Sequence, residues 1–172
     1  GTQVFQLSVV AGISVLSDRA GFTGTVGVLA LSNNLPQPIN AANIFDGTCA
    51  PQGTPSGCSG QDPDLFFPDQ QNFLIIQENL DFSDPDDDVN GGVVEFDFSK
   101  LGGKIDVESF TVLDVENPWD AKAFFNGVDP VALAAPGDSM AAVQQIDHPS
   151  VNRLTFVSSA SIGLDDITLC VT

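Results

Sequence analysis

Tyrosine is absent from the 172 residues, and histidine, tryptophan and methionine occur once each. Lysine and arginine total 5 against 23 aspartates and glutamates, a formal charge of −18. So acidic a chain is repelled by nucleic acid and by anionic lipid, which removes both as partners. No apolar run approaches the roughly 18–20 residues needed to cross a bilayer, so membrane insertion is not expected. No signal-peptide pattern opens the chain at Gly1, as expected of a mature or trimmed N-terminus. Catalytic patterns are missing too: there is no G-x-S-x-G, H-E-x-x-H or phosphate-binding loop. The single His148 stands beside Pro149 in a turn, where a lone histidine is usually a surface residue. With 23 acids, a carboxylate pair for glycoside hydrolysis can be chosen anywhere, so none is informative. The chain reads as non-catalytic.

What is present points to a single folded domain. Apolar residues make up 42% of the chain, enough for a core at this length. The 13 phenylalanines supply nearly all the aromatic volume and are expected inside. Turn residues punctuate short runs of β-formers: Thr23–Ser32, Ala42–Asp46, Asn72–Glu78, Val93–Phe98, Ile105–Leu113, Val151–Ser158 and Ile162–Val171. Ala121–Phe125 and Val131–Ala134 read as a hairpin about Asn126-Gly127, a strong turn signal. Ser139–Ile146 fits either a helix opened by a capping serine or a strand. Ten or so strands without a long helical pattern predict an all-β protein, an antiparallel β-sandwich or jelly roll.

The first residues stand apart. Phe5, Leu7, Val9, Ala11, Ile13 and Val15 alternate with more polar or smaller residues, a period-2 pattern long for one strand. Residues 1–17 are therefore set off as an N-terminal strand, and 18–172 as the sandwich. The strand either opens its own sheet or is exchanged with a neighbouring copy by strand addition, with the glycine-bearing SDRAGFTG as hinge. Cys49 and Cys58 flank a Gly/Pro/Ser loop that suits a local disulfide, worth roughly 2–3 kcal/mol. Cys170 is left over, as a buried thiol or an inter-chain partner. Acidity, few lysines and the cysteine loop together suggest an oxidising, extracellular setting.

The densest chemistry lies between Asp81 and Gly92. Asp86-Asp87-Asp88-Val89-Asn90-Gly91 matches D-x-D-x-N-G, the opening of a calcium loop, in which alternate side chains converge and the glycine allows a sharp turn. The twelfth position is Asp97 and a strand follows, so this is not an EF-hand. A solvated acidic loop is the plain alternative. Calcium takes 6–8 oxygens, so Asp84, Asp46, Asp62, Asp64, Asp114, Glu116, Asp165 and Asp166 are the further candidates. Trp119, in Asn-Pro-Trp-Asp, would stack on a sugar if exposed; burial is the expectation, because tryptophan is highly buried on average.

The stretches IFDG, DPDL, NFLIIQEN, SDPDDDVNGGVVEFDFS, VESFTVLDVE and VNRLTFVSSASIGLDDITL resemble a domain of secreted bacterial exoproteins, many carrying a PEP-CTERM-type sorting anchor. The resemblance covers roughly Ala42 to the C-terminus and implies a sandwich akin to carbohydrate-binding modules. It places Asp46, Asp64, Glu78, Asp84, Asp86, Asp87, Asp114, Glu116 and Asp165 at the family's acidic positions. The chain departs from that pattern at Asp166, where asparagine is usual, lacks the anchor and adds the N-terminal strand. Two functions follow as expectations. One is an extracellular structural protein, calcium-stabilised, polymerising by donation of the N-terminal strand to copies of itself. The alternative is a calcium-dependent carbohydrate-binding or adhesion module whose partner is a polysaccharide.

Overall fold

The structure is a computed structural model that describes residues 3–4, 7–10, 13–17, 23–48, 65–70, 72–101 and 104–171. Its strands are β1 (Gln3–Val4), β2 (Leu7–Val10), β3 (Ile13–Ser17), β4 (Thr23–Ser32), β5 (Ala42–Asp46), β6 (Asn72–Ile76) and β7 (Gly92–Asp97). There follow β8 (Ile105–Leu113), β9 (Ala121–Phe125), β10 (Val128–Ala132), β11 (Ala141–His148), β12 (Arg153–Ser158) and β13 (Gly163–Val171). They form two antiparallel sheets, β11-β8-β13-β6-β5 with β1 also on β13, and β10-β9-β12-β7-β4-β3-β2. The fold is an all-β sandwich, as the alternation of apolar residues and turns predicts.

Alternation decides which face is buried. In β7, Val94 and Phe96 point inward while Val93, Glu95 and Asp97 alternate with them. Phe156 of β12 sits edge-on to both Phe96 and Phe110, with ring centroids 6.0 and 4.9 Å apart. These edge-to-face contacts fix the sheet spacing, and truncating such a ring costs roughly 3–5 kcal/mol. β8 is covered on both faces as its two-sided composition predicts, because Leu113 belongs to a second cluster with Phe45, Leu65, Phe67, Phe73 and Ile75. That cluster lies outside the β5-β6-β13-β8 sheet and is roofed by residues 65–70. Gly163 leaves room for it, since a Cβ there would stand 3.0 Å from the Phe73 ring.

Turn chemistry also reads through. Asn126 and Gly127 take φ of 54° and 77°, the left-handed pair of a tight hairpin between β9 and β10. Ser139–Ile146 resolves toward strand, as β11, because its residues alternate exposed and half-buried against β8. The N-terminal stretch differs from the single strand expected. It pairs within its own chain as three short strands: β1 on β13, β2 on β3, and β3 on β4. A single straight strand cannot complete both sheets, and this segment contributes to each.

Most connections after β4 cross from one sheet to the other, so loops gather at the two ends of the sandwich. Residues 33–41, 77–91, 114–120, 133–140 and 159–162 share one end, called here the upper end.

Candidate functional site

The upper end contains the acidic loop, and a glutamine organises it. Gln77 follows the apolar run of β6 and is fully buried. Its Oε1 accepts from Asn43 Nδ2 at 2.9 Å and from the Asp86 amide at 3.2 Å. Its Nε2 donates to the carbonyls of Asp81 and Asp84, both at 3.2 Å. The main chain is pinched at the same level, with Glu78 N donating to Asp86 O and Asp88 N to Ile76 O. Residues 78–86 thus form a closed loop on a buried amide post. Inside it Asp81 Oδ1 accepts from Ser83 N and Oγ, and the Ser83 hydroxyl is the main cause holding the Asp81 carboxyl below the usual range.

Asp88 is the second post. It is 1% exposed, and its carboxylate accepts from Ser32 Oγ at 2.5 Å, Asn34 Nδ2 at 2.8 Å, Asn34 N at 3.2 Å and Asn90 N at 2.8 Å. Asn90 Nδ2 in turn donates to Asn34 Oδ1. The D-x-N spacing thus ties the loop to the end of β4. Both of the Asp88 oxygens are taken by N–H and O–H donors, which is how a carboxylate is kept buried. The glycines complete the joint. Gly91 has φ of +63°, and a Cβ there would meet Ser158 O at 2.5 Å and Ala160 O at 2.7 Å. A Cβ on Gly92 would strike Leu31 O.

The expected calcium ligands are partly gathered. Asp84 and Glu116 are exposed, Asp86 is half-buried, and Asp87 and Asp114 are buried, all at the upper end. Asp114 has φ of 60° and accepts from the Ser139 amide at 2.9 Å. Asp165 lies slightly further down, on β13 opposite Thr111, and burial pushes its carboxyl up to about 6. Asp46 stands at the far end of β5, where it accepts from Thr48 N and Oγ1 and closes a turn. Among the described residues no three His, Cys, Asp or Glu side chains form a metal-holding group. Of the expected set Asp86, Asp88 and Asn90, the Asp88 oxygens face Ser32, Asn34 and the Asn90 amide. Asp62, Asp64 and the expected disulfide between Cys49 and Cys58 lie outside the described residues, as do Phe5 and Ala11 of the N-terminal series. Leu7, Val9, Ile13 and Val15 fall on β2 and β3. Cys170 is half-buried on β13, opposite Asp106.

Trp119 corrects the expectation of burial: it is 73% exposed. The turn is locked by its own polar groups, with Asn117 N and Nδ2 donating to Asp120 Oδ2 at 3.0 and 2.9 Å. Val115 and Ala121 take the inward positions on either side, and the indole is left at the tip. Leu80, Phe82, Val89 and Met140 are also exposed on upper-end loops. His148 packs face to face on Phe125, centroids 4.3 Å apart, in a structural contact. A polar cavity of about 310 Å³ at the opposite end is lined by Asp97, Ser99, Asn126, Asn152 and Arg153.

Gln77 and the second cluster are not singled out by the sequence. A polar residue closing the run NFLII is the available signal for the first. No family model matches this chain, and comparison with curated proteins and with solved structures gives no match.

Proposed function

We propose that the chain is a non-catalytic extracellular structural protein whose copies join through the N-terminal segment. One observation carries this reading: three of the four sheet edges among the described residues bear devices that block further strand pairing. On β5, Asn40 Oδ1 and Asn43 Oδ1 occupy the amides of Ala42 and Ile44 at 3.2 and 2.9 Å. On β10, Pro130 removes a main-chain donor. On β11, a bulge breaks the strand between Gln145 and His148. Such devices prevent indiscriminate edge-to-edge association. The fourth edge belongs to the N-terminal segment, so pairing between copies is directed there. A strand joining one copy to the next is a heterologous contact that does not close, and it generates a fibre. The resemblance to secreted exoprotein domains agrees with an extracellular location.

Calcium enters this reading as neutralisation of a −18 chain, not as the maker of the acidic loop, whose shape rests on Gln77 and Asp88. It should raise the melting temperature by linkage, and identical curves in calcium and in chelator would remove it. Deleting residues 1–17 tests the connector: sedimentation should then show loss of large species, and unchanged assembly would overturn the reading.

The exposed Trp119 favours a second reading, a carbohydrate-binding or adhesive module. An indole held at the tip of a locked turn offers a flat apolar face to a sugar ring. A glycan array with calcium present tests it, and absence of binding removes it.

A further inference from the structure

We propose that the acceptor for the N-terminal segment is a slot in the lower half of the sandwich, filled in the assembly by β3 and β1 of a neighbouring copy. The proposal rests on the fibre reading and names the strands and register through which it works.

The slot is defined by what stops short of it. On the β3 side of β4, the upper half is already occupied: Ala30 N donates to Asn40 Oδ1 at 2.9 Å, Ala41 N to Ala30 O at 2.8 Å, and Asn40 Nδ2 to Val28 O at 3.2 Å. Below that plug, Thr23 to Gly27 are paired by β3, in the register Ile13↔Gly27 to Ser17↔Thr23. The other sheet is built the same way. β6 reaches β13 only at Gly163 and Leu164, and further down β1 pairs with Thr168 and Leu169. The sandwich of β4 to β13 is therefore closed on one side above by Asn40 and β6, and below by β3 and β1.

The N-terminal segment is attached to the rest of the chain through residues 18–22 alone, and its pairing partners there are β4 and β13. Its main-chain bonds to them are the same whether it comes from its own copy or the next. Within one copy, Ser17 and Thr23 face each other as register partners. With the connection extended, the six Cα steps between them reach about 20 Å, enough to leave one body and enter another. This is the geometry of an exchanged terminal element, with all interface bonds retained and only the hinge changed.

Charge makes this route apt. Copies carrying −18 each repel, and a side-chain interface between two such surfaces would work against that repulsion. Main-chain pairing is indifferent to net charge. Salt should therefore promote assembly by screening the approach of copies without weakening the contact.

The test uses two variants of the full chain, Val15→Cys and Thr25→Cys, each adding one thiol at a position that is the other's register partner. They are mixed under assembling conditions and oxidised, and the disulfide-linked peptide is identified by mass spectrometry against links to the native cysteines. Expected is an inter-chain disulfide between positions 15 and 25, increasing with salt. In the double variant the same link should give a ladder on a non-reducing gel. Lengthening 18–22 with a Gly/Ser insert should shift the double variant toward the intra-chain link, because a longer connection eases closure within one copy. Filaments that form without the inter-chain link would overturn the slot assignment and leave the fibre reading standing. Monomers that give only the intra-chain link would overturn both.

Discussion

Replacing Asp88 by alanine separates two roles for the acidic loop, hydrogen-bonding post and cation ligand. The carboxylate accepts four hydrogen bonds and is 1% exposed. In the variant the donors on Asn34 and Asn90, which are exposed residues, recover water. Ser32 is 2% exposed, so its hydroxyl does not, and the tie from loop to β4 is lost. Hydrogen bonds to a charged group are each worth about 1.5–3 kcal/mol net, so the one unrecovered bond gives about 1.5–3 kcal/mol. At roughly 2–4 °C per kcal/mol for a chain of this size, the melting temperature should fall by about 6 °C. Asp88→Asn should fall by less, since it keeps one acceptor oxygen but turns an NH2 toward existing donors. The assay is thermal unfolding followed by circular dichroism, run in calcium and in chelator. The decrease should be the same in both, because the bonds are internal. A variant melting within about 2 °C of the parent, or a decrease confined to calcium, would refute the post and restore Asp88 as a ligand.

Gly91→Ala should be poorly folded or several kcal/mol less stable, since a Cβ would lie 2.5 Å from Ser158 O at φ of +63°; near-parental unfolding would contradict the packing. Asp165 gives a pH signature. Burial raises its folded carboxyl to about 6 from 3.8, so the folded state binds the extra proton. Stability from this group is full below the unfolded value, falls as pH rises between the two, and is flat above about 6. Because the residue is only half-buried, the difference is discounted to about 1–2 kcal/mol. Asp165→Asn should therefore melt higher than the parent at neutral pH and equal to it near pH ~4, as scanning calorimetry can check; a pH-independent difference would point to a cause other than ionisation. Trp119→Ala should leave the melting temperature unchanged, and under the carbohydrate reading it should abolish glycan binding.

Much of the fold is legible because its signals are local. The alternation in β7, the two-sided apolar β8 and the Asn126-Gly127 turn each carry their own physical reason within a few residues. The double glycine at 91–92 is legible as a turn, though not as the close approach to β12 and β4 that makes it obligatory. What the spacing of Asp86, Asp88 and Asn90 does not encode is where the oxygens point. That depends on Ser32 and Asn34, more than fifty residues away in sequence. Burial of Trp119 is the reasonable expectation from residue type, but the Asn117–Asp120 turn overrides it. The second phenylalanine cluster is built from β5, β6, β8 and residues 65–70, a set that only the fold assembles. The N-terminal stretch shows the same limit: its alternation reads as one strand, while pairing with both sheets divides it into three.

Electron microscopy of the negatively stained full-length chain tests the central claim most directly, at modest concentration with calcium and moderate salt. Regular unbranched filaments that disappear on removal of residues 1–17 are the predicted result. Uniform single particles under the same conditions would contradict it, and would leave the segment folded on its own copy.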